Sequence, residues 1–499
     1  RYIITDDDLA ILASETGVLP IPNEKIVQKG RLQPGRIFLV DTDTGRIITD
    51  EEVKESLSKQ APYLEWIEQH HLTLEKLPEV EIEDGFSKEF TTLLERQRSF
   101  GYSQEDITRI LLPMAKDGKE PVSSMGTDIP LAVLSNRSQL LFNYFKQLFA
   151  QVTNPPIDAI REEVVMSTES LLGSEVNLLG ETALHARMLR LETPTLTTSE
   201  LERIKRCNIT GFESKTIKTL FKRSDGPSGL KIALQRVREE ATAAVEAGTT
   251  ILILSDRGVD KDHVAIPSLL ATAGVHHHLL RGGLRGKCGI IVETGEAREV
   301  MHFSLLIGYG ASAIHPYLVF ETFEGLNNAN MMVDNNGSPL SLGSAVKNYI
   351  KSIDQGLLKI FSKMGISTLL SYRAAQIFEA IGIDNDVINE FFLGTPSRIS
   401  GISLEIIAKE SIHRHACAFP EDKNLEEQEL DIGGEYMWRR RGEYHMWNPD
   451  TIQKLQYSIT KEKYSSYKEF SELASEEDEN LCTIRGLLEI KKSARPIPL

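Results

Sequence analysis

Three carboxylates sit where chemistry could be done: Asp256, Glu293 and Glu321 close the runs TTILILSD (249–256), GIIVE (289–293) and SAIHPYLVFE (312–321). Read as successive parallel strands, these runs bring the three groups to C-terminal strand ends, where α/β proteins build their sites. Converging carboxylates could hold a divalent cation or move protons. Polar strand ends that merely hydrogen-bond to loops account for the same pattern, and that structural reading is favoured. His276, His277 and His278 point about 100° apart if helical, so they do not face one metal ion together. His413, His415 and Cys417 in HRHAC would share a face if the segment is a strand, but no fourth ligand lies near in sequence, and a packed role is preferred. The glycines of RGGLRGKCG (281–289) and IGYGAS (307–312) could turn backbone N–H groups toward a phosphate, yet lack the full dinucleotide spacing and read as tight turns. The basic run WRRRGEYH (438–445) is short and flanked by acids, which disfavours a phosphate site.

A fourth constellation is neutral. SMGTDIP (124–130) and QVTNPP (151–156) flank RSQLLFNYFKQLFAQV (137–152). There Leu140, Leu141, Tyr144, Phe145, Leu148 and Phe149 have the spacing of a helix with one buried face. Pro155 and Pro156 would stop that helix and extend the chain. Loops folding back at its two ends would bring Met125, Thr127 and Asp128 close to Thr153 and Asn154. On the residues alone, a pair of structural turns is the favoured reading.

The elements that must position these groups change character along the chain. PGRIFLVDTDTGRIITD (34–50) predicts a hairpin turning at Asp43-Thr44-Gly45, which would close the sheet of the N-terminal domain. The charged stretch 75–90 marks a boundary near residue 73. In SQEDITRILLPMA (103–115), Ser103 can cap a helix whose first turn carries Glu105 and Asp106. Strand and helix then alternate: helix 230–248 stopped by Gly248, strand 249–256, helix 267–283, strand 289–293, helix 298–310, strand 312–321, helix 348–365, strand 366–368 and helix 372–382. This rhythm predicts right-handed crossovers and a largely parallel sheet, as an incomplete βα-barrel or open α/β layer. From residue 431 periodicity fades, and the tail reads as a surface connector.

The 499 residues suffice for two to four domains. With 72 acidic and 56 basic side chains the net charge is −16, which argues against nucleic-acid and anionic-membrane partners. No apolar run reaches the roughly 18 residues a membrane helix needs, and the first residues are not a signal peptide. Four cysteines without framework spacing suit a reducing compartment.

Residues 123–161, with RYIITDDDLAILASETGVLPIPNEKIVQKGRLQPGRIFLVDTDTGRIITDEE (1–52), VHHHLLRGGLRGKCGIIVETGEAREVMHFSLLIGYGASAIHPYLVFET (275–322), SKMGISTLLSYRAAQIFEAIG (362–382) and GEYHMWNPDTIQKLQ (442–456), resemble the glutamate synthase large-subunit family in order. The resemblance implies three parts. Residues 1–72 are expected to be the β-rich end of a class II glutaminase (N-terminal-nucleophile amidotransferase) domain, 73–430 the central domain and 431–499 a connector toward an FMN domain. It also implies an enzyme making L-glutamate from L-glutamine and 2-oxoglutarate, with an oxidoreductase step, in which this portion lines an ammonia tunnel at Met125, Thr127, Asp128, Thr153 and Asn154. Neutral hydroxyls, amides and carbonyls suit ammonia; Asp128 is expected to be neutralised by backbone donors or an arginine.

The nucleophilic N-terminal cysteine of that family is absent here, since residue 1 is Arg1 and Cys207 is the first cysteine. Cys207, Cys288, Cys417 and Cys482 are too scattered for an iron–sulfur cluster. The chain is therefore expected to be a middle slice that holds no cofactor and is inactive alone, with no catalytic, cofactor or metal residue assigned; FMN and an iron–sulfur cluster belong to the parent. Expected partners are the flanking glutaminase and FMN domains and an electron donor, ferredoxin or a pyridine-nucleotide-dependent small subunit. The expected location is the cytoplasm, or the plastid stroma in a plant or alga. The alternatives are a self-contained α/β barrel enzyme using the strand-end carboxylates and a non-catalytic interaction module.

Overall fold

The computed structural model describes residues 1–80, 91–123, 126–148, 157–158, 160–420, 429–475 and 481–488. Two compact units are present, Arg1–His71 with Glu181–Ala186, and Leu72–Gly180 with Arg187–Leu499. In the first, Tyr2–Thr5 lies antiparallel between Ala10–Leu12 and Ile26–Gly30. Leu39–Asp41 and Arg46–Ile48 form the expected hairpin. Its turn is fixed by Asp41 Oδ1, which accepts the N–H groups of Asp43 and Thr44 at 2.9 and 3.1 Å, and by Gly45 at φ +65°. The hairpin does not close the neighbouring sheet as expected; it is a two-stranded sheet of its own. The N–H of Ile37, just before it, is spent on Asp50 Oδ1 at 2.8 Å, so pairing is not extended there.

The second unit is organised by four parallel strands in sequence order: β1 (Ser214–Lys218), β2 (Ile251–Ser255), β3 (Gly289–Glu293) and β4 (Ala313–His315). Helices α1 (Gly226–Glu246), α2 (Ser268–Arg281) and α3 (Val300–Gly308) make the crossovers, and α4 (Tyr317–Asn328) follows β4. Pro227 starts α1, and Gly248 at φ +100° turns the chain beyond its end. All of β2 and β3 is buried because both faces are covered. Leu252, Leu254, Ile290 and Val292 join the large core that α1, α2 and α3 build. Their alternates Ile251, Ile253 and Ile291 join a second core with Leu172, Leu189, Leu191, Leu201 and Ile204. That core belongs to a small sheet of Leu72–Thr73, Leu189–Leu191 and Ser170–Leu172, and to the helix Thr198–Lys205. The architecture is α/β with an open sheet, and no closed barrel forms among the described residues.

Several expected elements differ. The segment 137–148 is not a helix: it makes one 3-10 turn at Leu141–Tyr144, then Phe145–Gln147 pairs antiparallel with Phe378–Ala380. Leu141, Phe142, Tyr144 and Phe145 are all buried, so the apolar side chains are not confined to one helix face. Each has its own partner: Phe142 stacks on His302 at 4.3 Å, Tyr144 donates to Glu410 at 3.0 Å and Phe145 packs on Phe392 at 4.9 Å. Tertiary burial overrides the periodicity. The expected strand 312–321 ends at His315, because Pro316 opens α4, so Glu321 lies on a helix. In place of a helix over 372–382 there is a short helix, Leu369–Tyr372, before the strand Phe378–Ala380. In place of a strand at 366–368, Thr368 makes one isolated bridge with Ser167.

HRHAC lies in helix α6 (Leu404–Ala418), preceded by α5 (Leu342–Met364), not in a strand. The tail carries two helices, α7 (Pro449–Thr460) and α8 (Tyr464–Ser475), opened by Asn448, whose side chain accepts the N–H groups of Asp450 and Thr451.

Candidate functional site

Asp128 is the described centre of the neutral constellation. It is half-buried, and its contacts come from residues 445–447 of the tail. His445 Nδ1 lies 3.0 Å from Asp128 Oδ1, the Trp447 N–H donates to Oδ2 at 3.1 Å, and the Met446 N–H donates to the Asp128 carbonyl at 2.9 Å. The carboxylate thus has one backbone donor, Trp447, and its side-chain partner is a histidine, not an arginine. Thr127 is exposed beside it. Met125, Thr153 and Asn154 lie outside the described residues, so their meeting with Thr127 and Asp128 is untested.

Two of the three carboxylates, Glu293 and Glu321, share an ion network. Glu293 accepts from Lys205 Nζ at 3.1 and 3.2 Å and from Arg257 Nε at 3.0 Å. Arg257 Nη1 reaches Glu321 Oε1 at 2.9 Å, and Arg96 Nη2 reaches Glu321 Oε2 at 2.9 Å. The Arg257 guanidinium also sits 3.9 Å over the Tyr317 ring. Burial pushes the Glu293 carboxyl up, but Lys205, His315 and Arg257 outweigh it and hold it at about 2. Asp256 is separate: it accepts from Thr294 Oγ1 at 2.5 Å and from the Gly295 N–H at 3.0 Å. Burial raises it to about 7 against the pull of the Thr294 hydrogen bond. Glu293 and Glu321 are spent on cations, which supports the structural reading, and no group of three or more His, Cys, Asp or Glu among the described residues could hold a metal ion.

Of the other candidates, His276, His277 and His415 are buried, whereas His413 and Cys417 are exposed. His276 accepts from Arg285 Nε at 2.9 Å, His278 pairs with Thr242 at 3.0 Å, and burial lowers the histidine pKa values, His276 to about 2 and His277 to about 4. Gly310 is a close approach at φ +113°, where a Cβ would meet His276 Nδ1 at 2.3 Å. His415 reaches the Asp260 carbonyl at 2.6 Å, whereas His413 and Cys417 share another face of α6, one turn apart at 3.9 Å. In the basic run, Arg439, Arg440 and Arg441 line a cavity of about 380 Å³ with Arg137 and Trp438.

The family model for the glutamate synthase central domain matches residues 95–384, more than half of the sequence. The chain belongs to the glutamate synthase family. Residues 1–66 match class-II glutamine amidotransferases. The chain is 44% identical over 499 residues to the large chain of the NADPH glutamate synthase of Bacillus subtilis, covering 100% of itself and 32% of that protein. It is 40% identical over 510 residues to the NADH glutamate synthase of Schizosaccharomyces pombe (100% and 24%). To the ferredoxin-dependent glutamate synthase of Pyropia yezoensis it is 39% identical over 509 residues (100% and 32%). It thus spans about a quarter to a third of the length of these relatives. Asp128, Asp256, Glu293 and Glu321 fall inside the glutamate synthase central-domain match; His445 lies beyond it.

The ends of the parallel strands do not suit the groups that glutamate synthases imply. A flavin phosphate needs free cations or backbone donors, whereas β2 and β3 lead into the carboxylates Asp256 and Glu293, with Lys205 and Arg257 already ion-paired. Cys207, Cys288, Cys417 and Cys482 form no disulfide and no ligand set among the described residues. Sequence reasoning missed Arg257, His445 and the role of Glu105. The one available signal for the last two was Gly433-Gly434, a pair suited to a turn that exposes successive N–H groups.

Proposed function

We propose that this chain is the connecting portion of a glutamate synthase large chain, joining a class II glutaminase domain to an FMN domain and lining the passage for ammonia at the Thr127–Asp128 loop. The observation that carries this is the order of the two family matches, amidotransferase over 1–66 and central domain over 95–384, in one polypeptide. In that reading 1–72, 73–430 and 431–499 are the end of the glutaminase domain, the central domain and the approach to the FMN domain. The parallel order β1-β2-β3-β4 is the remnant of a βα-barrel, its inner face filled by the small sheet instead of by further strands.

The parent would hydrolyse glutamine, pass ammonia to 2-oxoglutarate to form 2-iminoglutarate and water, and reduce the imine with reduced flavin. Its FMN and iron–sulfur cluster, and its donor, ferredoxin or a pyridine-nucleotide-dependent subunit, act outside this chain. No helix among the described residues is long and apolar enough to cross a membrane; the cytoplasm, or a plastid in a plant or alga, is the proposed location. Ammonia must travel neutral, and a free buried carboxylate would hold it as ammonium. The contacts that His445 and Trp447 make with the Asp128 oxygens support this reading of the loop.

In the whole enzyme, Thr127→Leu is expected to make glutamine hydrolysis run several-fold ahead of glutamate formation. Matched rates in that variant would remove the loop from the passage.

A further inference from the structure

We propose that residues 431–447 are a strap that positions the Thr127–Asp128 loop, with His445 as the positioning residue and Glu105 as the anchor; its relevance to ammonia transfer rests on the reading above. The anchor is a buried carboxylate, 4% exposed, ringed by backbone donors. Glu105 Oε2 accepts the N–H groups of Gly434, Glu435 and Tyr436 at 2.8, 2.6 and 3.1 Å, and Oε1 accepts that of Met437 at 3.0 Å. Gly433 and Gly434, at φ +82° and +91°, curl the chain so that these four donors converge. Charge-assisted hydrogen bonds of this kind are the strong ones, and removing the acceptor orphans several donors at once.

The curl also aims the Gly434 carbonyl at His445. Nε2 of that ring lies 2.7 Å from Gly434 O, while Nδ1 lies 3.0 Å from Asp128 Oδ1, so one side chain, 5% exposed, spans the strap and the loop. Farther along the same stretch, Glu443 Oε2 accepts from Ser135 Oγ at 2.7 Å and from Gln139 Nε2 at 3.1 Å, and Arg137 pairs with Asp431. The strap therefore grips the segment that follows the loop as well. It is tied in turn to the start of α7: Asn448 Nδ2 donates to the His445 carbonyl at 3.1 Å and Thr451 Oγ1 to that of Met446 at 2.9 Å. These contacts form a contiguous chain from α7 through residues 445–447 to Asp128.

Hydrogen exchange on the 499-residue chain tests this. In His445→Gln the amides of Met446 and Trp447, which donate to Asp128, are expected to exchange about tenfold faster, the scale of losing one charged hydrogen bond. Glu105→Gln is expected to do the same at 434–437, with β2 and β3 unchanged in both variants. Asp128→Asn with His445→Gln should speed exchange at Met446 by less than the sum of the two single effects, the non-additivity expected of residues in one hydrogen-bond network. Unchanged exchange at 446 and 447, or additive effects in the double variant, would overturn the strap. Faster exchange with matched glutaminase and glutamate rates in the whole enzyme would leave the strap standing and remove only the passage reading.

Discussion

Arg257→Met is expected to destabilise the central unit by about 3 kcal/mol, the lower end for breaking a buried ion pair. Glu293 and Glu321 are each 3% exposed at the side chain, and Arg257 is the cation they share. Methionine keeps most of the stem's packing but leaves each carboxylate with a single cation, Lys205 for Glu293 and Arg96 for Glu321. Those remaining pairs keep the loss from being larger. The contact with Tyr317 adds about 1 kcal/mol. A fall in the denaturant midpoint at unchanged slope would report it. A change below about 0.5 kcal/mol, the range of surface substitutions, would show that solvent screens the network, and the carboxylates would again be open for chemistry.

The second large effect is an opposite pH dependence for two neighbouring carboxyls. Glu293 is held at about 2 against a reference of 4.5, so its folded form binds fewer protons than the unfolded chain. Its contribution is complete above about pH 4.5 and is lost as the pH falls toward 2, a total of about 3 kcal/mol. Asp256 is raised to about 7 from 3.8, so the folded form keeps its proton longer. Stability is therefore lost as the pH rises from about 4 through 7. Glu293→Gln should destabilise strongly at pH 7 and progressively less toward pH 3. Asp256→Asn should look about 2 to 3 kcal/mol better at pH 8 than at pH 5, relative to the parent chain. Denaturation curves at the four pH values check both. Parallel profiles for the two variants would mean that one shared environment governs them, contrary to the separate partners described here.

The legible parts of the fold were those whose signals are local. Gly248 and the apolar run 249–256 mark the end of α1 and the course of β2, since a strand covered on both faces reads as a continuous apolar run. The segment 137–148 was not legible, since its apolar spacing suits a helix while its side chains answer to residues some 160 to 270 positions away. Glu321 was misplaced although Pro316 stood in the run as a warning that the strand ends there. At the site, the sequence shows that Asp128 needs a partner, but nothing in periodicity joins residue 128 to residue 445. Glu105 illustrates the same limit: its first-turn position explains a favourable dipole, whereas its four donors lie 329 to 332 residues away.

In the proposed reading this chain connects its neighbouring domains, and its parallel sheet is held by ion pairs instead of presenting a cofactor site. A visible absorption spectrum of the purified 499-residue chain after incubation with FMN tests it most directly. A protein that elutes from desalting without flavin bands is the predicted result. Flavin retained at near-equal stoichiometry would mean that the strand–helix repeats already build a cofactor site, and the connector account would fail.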